Sequence, residues 1–153
     1  MGVLGLIVTL VVVLTLGVVF VGAVSGWFDD PKVKLADEYY GEFEMMELTG
    51  EEYERLVGEG KSFVVFVNQG GCTTAERLRE YVTEWATEAG VRVYEMQFAD
   101  VKETSLHESV KYYPSVVVVS RGKPVAWLRA DADEDADMYN DKGAFDKWIK
   151  RWL

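Results

Sequence analysis

The residue of this 153-residue chain best equipped for nucleophilic or redox chemistry is Cys72, its one cysteine. It stands in the run Phe63-Val-Val-Phe-Val-Asn-Gln-Gly-Gly-Cys-Thr-Thr-Ala75, between an apolar strand-like stretch and an amphipathic helix-like stretch. A thiol at a helix N-terminus faces the positive end of the dipole and unpaired N–H groups, which stabilise its thiolate. Ala75 lies one helical turn on, where a second cysteine would complete a C-x-x-C pair. A lone thiol can form a mixed disulfide but has no neighbour to resolve it, and no intrachain disulfide can exist. A packed, inert thiol is the competing reading of the same residue.

The other chemistry-bearing residues point elsewhere. His107, the single histidine, is expected on a surface helix, and nothing in its spacing sets it beside Cys72 as a Cys-His hydrolase would need. Asp131-Ala-Asp-Glu-Asp-Ala-Asp137 offers clustered oxygens, yet it lacks the glycine and distal glutamate of a calcium loop. A solvated acidic loop is the expectation there. No metal ligand set is assigned and no cofactor is expected; Trp85, Trp127, Trp148 and Trp152 fit core or hairpin positions. The formal charge of −10 falls entirely after residue 28. Such acidity excludes nucleic acid as a partner, because phosphate binding needs clustered Lys and Arg.

Residues 1–28 read as a transmembrane anchor, 29–41 as a linker and 42–153 as a folded domain. Val3 to Val24 is apolar apart from glycines, Thr9 and Thr15, and as a helix rising about 1.5 Å per residue it crosses a hydrocarbon core of about 30 Å. Trp27 and Phe28 follow where aromatic rings favour the interface. A cleaved signal peptide is the alternative: Ala23-Val24-Ser25 offers a small-residue site, although the segment has no Lys or Arg ahead of it and is long for an h-region. Lys32 and Lys34, after the span, place the globular part in the cytoplasm on the positive-inside rule alone.

After the linker the elements alternate. Glu42 to Leu48 is a predicted strand, and Thr49-Gly-Glu-Glu52 a capping box that opens a helix ending at Gly58 and Gly60. Ser62 to Val67 is apolar throughout, as in a strand buried on both faces. The following helix buries Ala75, Leu78, Val82, Trp85, Ala86 and Ala89, and Gly90 ends it. Val91 to Phe98 is a strand and Val101 to Val110 a weaker helix. Ser115 to Ser120 and Pro124 to Arg129 flank the turn Arg121-Gly122-Lys123. Phe145, Trp148, Ile149 and Trp152 form the stripe of a closing helix. The order βαβαβαββα implies an α/β fold with a mixed sheet and helices on both faces.

That order, with a cysteine opening the second helix, resembles the thioredoxin fold from Glu42 to Leu153. Tyr113-Pro114-Ser115 is similar to the cis-proline segment that faces the family's thiol, at close to the family's usual separation from Cys72; an ordinary trans proline is the alternative. Gly122 falls where the family turns its hairpin. The Phe66-Val-Asn-Gln-Gly-Gly-Cys72 passage, behind a Leu-Thr-Gly-Glu-Glu-Tyr helix start, is also similar to thioredoxin-like bacteriocin-transport accessory proteins.

The resemblance implies that Cys72 is the reactive thiol, that Ala75 is a degenerate resolving position, and that Gly71, Thr73, Tyr113 and Pro114 hold a client or partner protein in an extended conformation. It also implies an extracytoplasmic domain, against the two lysines. Val64 to Val67 carry no buried acid to manage a second thiol's proton. Three functions remain open at this point: monothiol disulfide exchange, a redox-inactive binding module of a membrane transport or assembly complex, and a purely structural subunit.

Overall fold

The structure, a computed structural model, describes residues 32–153. The expected anchor and the first residues of the linker lie outside the described residues. Among the described residues no helix is long and apolar enough to cross a membrane.

Five strands form one mixed sheet. They are β1 (Met45–Glu47), β2 (Phe63–Asn68), β3 (Val93–Gln97), β4 (Ser115–Ser120) and β5 (Lys123–Trp127), in the spatial order β1-β3-β2-β4-β5. β1 and β2 both run parallel to β3, whereas β4 is antiparallel to β2 and β5. A parallel neighbour requires a crossover, and α1 (Gly50–Gly58) and α2 (Thr73–Ala89) supply them. The chain closes with α4 (Ala136–Asn140) and α5 (Lys142–Trp152), after a single turn of helix, α3 (Phe98–Val101). Phe63 to Val67 and Val116 to Val119 are fully buried, because β2 and β4 are covered on both faces.

Local sequence accounts for the boundaries. The Thr49 hydroxyl accepts the Glu52 N–H at 3.2 Å, so the first half of the capping box forms. Glu52 turns instead toward Arg55 at 3.5 Å, and the reciprocal bond is absent among the described residues. On α2 the predicted stripe of Ala75, Leu78, Val82, Trp85 and Ala86 is buried, but Ala89 is exposed on the last turn, ahead of a left-handed Gly90. Phe145 and Ile149 of α5 are buried, with Trp148 and Trp152 packed at the margin.

Three expectations change. The helix over Val101 to Val110 is replaced by α3 and a 3-10 turn at Ser105–Glu108. Thr104 breaks it: its hydroxyl and its N–H both bond to the Val101 carbonyl, at 2.8 and 3.0 Å, and Glu54 takes the Ser105 N–H. The linker is part of the domain from Leu35 onward, since Leu35 and Tyr39 are buried in the core and Tyr40 bridges to Val91. The acidic segment is solvent-exposed at Asp131, Asp133, Glu134 and Asp137, as expected, but Asp133–Asp135 forms a 3-10 turn leading into α4 instead of an irregular loop. Asp135 accepts the Arg129 backbone N–H at 2.8 Å, which orders the segment.

Candidate functional site

β2 delivers the chain to the thiol. After Asn68 the backbone turns through Gln69, Gly70 and Gly71, and Gly71 takes φ +74, a left-handed value that costs an L side chain about 1–2 kcal/mol. Cys72 then sits at the N-cap of α2, with extended backbone, its carbonyl accepting the Glu76 N–H at 3.1 Å. No side chain caps this first turn. Its N–H groups therefore point outward beside a half-exposed thiol, the arrangement that favours negative charge. Gly71 and Thr73, on either side, are exposed. Ala75 is 2% exposed, so the position one turn below Cys72 faces the core.

The partner loop arrives from the other side. Ser115 pairs with Val67 across β2 and β4, so Tyr113 and Pro114 stand at the end of the sheet where β2 gives way to Cys72. The Tyr113–Pro114 bond is cis. Pro114 is buried, and its carbonyl accepts a hydrogen bond from the Tyr139 hydroxyl of α4 at 2.8 Å. Ser115 donates to the Leu128 carbonyl at 2.7 Å. The Tyr113 hydroxyl donates to the Val110 carbonyl at 3.0 Å, its ring lies 6.0 Å from that of Phe98, and its oxygen is 3.3 Å from Nδ1 of His107. His107 therefore contacts the proline loop from a 3-10 turn, where a surface helix was expected. Among the described residues no hydrogen bond engages the Tyr113 backbone N–H or C=O. Those groups are free to pair with an extended segment.

Burial pushes the Tyr113 and Tyr139 hydroxyls above the ordinary tyrosine range, and nearby Asp135 and Asp131 add to the effect at Tyr139. Both remain protonated donors at neutral pH, as their bonds to Val110 and Pro114 require.

One network at this end was missed in the sequence. Glu95 of β3, opposite Phe66 of β2, accepts from Asn68 at 2.8 Å and from both terminal nitrogens of Arg79 on α2, at 2.9 and 2.8 Å. A single carboxylate thus ties the last residue of β2 to the helix that begins at Cys72. β2 itself carries no acid, and the one beside it is already committed to an arginine. The available signal was a lone charge inside the apolar run of β3. Among the described residues, no group of three His, Cys, Asp or Glu side chains could hold a metal ion.

Solved structures decide the architecture. Thioredoxin from Fasciola hepatica superposes with a TM-score of 0.54 at 20% identity, covering 71% of this chain and 100% of that one. This chain has a thioredoxin fold. A thioredoxin pre-protein of Schistosoma mansoni matches with a TM-score of 0.53 at 15% identity, over 74% of this chain and 100% of its own. Trxlp from Edwardsiella tarda matches with a TM-score of 0.52 at 13% identity, over 69% and 98%. At these identities the likeness concerns the fold. No protein-family model and no curated protein matches the chain. In this thioredoxin fold Cys72 opens the helix after the central strand, Pro114 opens the antiparallel strand beside it, and Gly122 turns the terminal hairpin.

Proposed function

We propose that this protein is a membrane-tethered, single-pass thioredoxin-like protein that performs thiol–disulfide exchange with client proteins through Cys72 alone. The observation that carries the reading is a half-exposed thiol at the uncapped N-terminus of a long helix, at the same sheet end as a loop with unpaired backbone groups. A client segment in an extended conformation lies along Tyr113 and Pro114, with Gly71 and Thr73 leaving the approach to sulfur open. The Cys72 thiolate attacks one sulfur of a client disulfide. The client S–S bond breaks, its second sulfur leaves as a thiolate and takes a proton from solvent, and a mixed disulfide remains. An external thiol then attacks that bond, and Cys72 leaves as the thiolate.

Residues 3–24 anchor the chain in the bilayer, supported by the absence of charge over the first 28 residues. The domain works on the extracytoplasmic side, where clients hold disulfides. Labelling of the domain in intact cells by a membrane-impermeant amine reagent checks this, and protection until lysis overturns it.

Buried Ala75 favours a second reading. With no resolving thiol, the same groove serves a redox-inactive accessory module of a membrane transport or assembly complex. Two experiments separate the readings. Trapping in native membranes under non-reducing conditions yields Cys72-dependent adducts if exchange occurs and none if it does not. Ala75→Cys sets a second thiol one turn from the first and confers insulin-disulfide reduction on an exchange scaffold. Failure of that variant to oxidise internally refutes the assigned geometry.

A further inference from the structure

We infer that the end of the sheet opposite Cys72 is a docking surface for anionic lipid headgroups, which holds the thiol end away from the bilayer. This rests on the reading of residues 3–24 as a membrane anchor, and it adds the orientation in which the anchored domain meets its clients. The described chain enters at that end. The Val33 N–H bonds to the Trp152 carbonyl at 2.6 Å, which ties the entry to the last turn of α5. Three residues on, the Ala36 N–H bonds to the Ser62 carbonyl at 3.0 Å, just before β2 begins. The Ser62 hydroxyl accepts the Arg121 N–H at 2.9 Å, so the turn between β4 and β5 stands beside the same segment. Cys72 lies beyond the other end of β2. Val33 is nine residues after Val24, the last apolar residue of the span. At about 3.3–3.6 Å per residue, the chain keeps this end within about 32 Å of the end of the span.

Charge is divided along the same axis. At the entry end Lys34 holds Asp37 at 3.2 Å, Lys61 holds Glu38 at 2.7 Å and Arg55 holds Glu59 at 2.8 Å. Arg121 and Lys123 on the hairpin, and Lys147, Lys150 and Arg151 on one face of α5, are exposed. Among the described residues none of these five stands in an ion pair. Against them stand Glu42 and Glu88, beside the contact of Gly41 with Gly90 near the β1 edge. In the preceding segment Asp29 and Asp30 outnumber Lys32 by one. The balance at this end is positive. At the Cys72 end it is reversed. Glu51, Glu54, Asp100 and Glu103 line one cleft with no cation among its lining residues. α1 and α3 carry that cleft where β1 and β3 end, and both strands run parallel to the β2 that leads to Cys72. The whole chain carries −10, so its excess of acid lies away from the entry.

An anionic surface therefore attracts one end of the domain and repels the other. A few headgroup contacts hold a free domain weakly, but the anchor makes them intramolecular at high effective concentration. The anchor supplies the affinity and the charge distribution supplies the orientation. Lipid is the occupant because the covalent reach of the chain keeps this end beside the headgroups.

The test places the full 153-residue chain in lipid nanodiscs of phosphatidylcholine, or of phosphatidylcholine mixed with phosphatidylglycerol. One readout is amine acylation by a water-soluble reagent, mapped by mass spectrometry. The other is energy transfer to an acceptor lipid from a dye on Cys72, the one thiol in the chain. In anionic discs Lys123 and Lys150 should acylate about fivefold more slowly than in neutral discs, with Lys102 and Lys111 unchanged. Transfer from Cys72 should fall, and about 1 M salt should erase both differences. The triple change Lys123→Gln, Lys150→Gln, Arg151→Gln, at exposed positions that leave folding intact, should return transfer to its neutral-disc value. Lys123→Arg with Lys150→Arg should leave it low. Equal acylation of Lys123 and Lys150 in both disc types, or no effect of the glutamine changes, overturns the inference. Protection that requires several chains per disc assigns the surface to a second copy and also overturns it. Alkaline carbonate washing separates the two readings. A chain stripped from the bilayer yet protected on anionic lipid refutes the anchor alone; a chain retained yet labelled equally refutes this surface alone.

Discussion

Gly71 and Gly122 make nearly the same backbone turn at opposite ends of the sheet, with φ +74 and +75. Their surroundings differ completely. A Cβ on Gly71 would meet nothing within 4 Å, whereas one on Gly122 would lie 2.4 Å from the Val57 carbonyl oxygen. At the Gly122 end the hairpin is pressed against the end of α1, and the Gly122 N–H bonds to Lys61 O at 2.8 Å. Arg121 adds a second positive φ, the pairing a two-residue hairpin turn demands. At the Gly71 end the chain passes through open space before reaching the thiol. The protein packs one end of its sheet shut and leaves the other accessible, and the accessible end is the one with Cys72. Within that end the halves differ again: the thiol side is uncapped, while Pro114 is held through Tyr139 and Ser115 through Leu128.

The comparison can be broken most forcefully at Gly122. Gly122→Ala adds strain of about 1–2 kcal/mol and a backbone collision, so a loss of more than about 3 kcal/mol is expected in urea unfolding. A loss below that of Gly71→Ala would mean the hairpin is not packed against α1. Tyr139→Phe comes next. It removes the donor to the buried Pro114 carbonyl and should cost about 1–3 kcal/mol, with weakened client capture.

Gly71→Ala should cost about 1–2 kcal/mol, from φ alone, and leave the fold intact. Glu95→Gln frees Arg79 from its carboxylate and weakens the tie to Asn68. A cost of about 1 kcal/mol is expected, since Arg79 is half-exposed and solvent screens the pair.

The tyrosines add a pH dependence, the smallest effect under ordinary conditions. Burial raises Tyr39, Tyr53 and Tyr139 above their ordinary value of 10.0. The unfolded chain then loses its tyrosine protons first as pH rises, so their contribution is complete below pH 10 and lost as pH climbs through and above it. The tyrosine contribution should leave Tm level from neutral pH to about pH 10 and lower it at strongly alkaline pH, with a shallower fall in Tyr139→Phe. A flat profile would mean the hydroxyls are hydrated.

Much of the fold was legible because its signals are local. The unbroken apolar run of β2, the period of α2 through Leu78, Val82 and Trp85, and the punctuation by Gly90 and Gly122 report burial and turn chemistry that neighbouring residues dictate by themselves. So did the placement of Cys72 at a helix start. The sequence failed where a distant group took over a backbone bond. Glu54, on α1, captures the Ser105 N–H and helps end the helix expected over Val101 to Val110. Arg129, from the end of β5, orders the acidic segment through Asp135.

The site divides along the same line. Residue types in order already show one thiol, a missing second thiol at Ala75, an acidic surface and a proline set for a strand start. Tertiary structure decides that Tyr139 reaches the Pro114 carbonyl, that Glu95 joins β2 to α2, and that Arg121 meets Ser62 at the end of the sheet where the chain enters. Each of those contacts joins groups far apart in the chain, and no local pattern encodes a partner that only the closed sheet brings within hydrogen-bond or van der Waals reach.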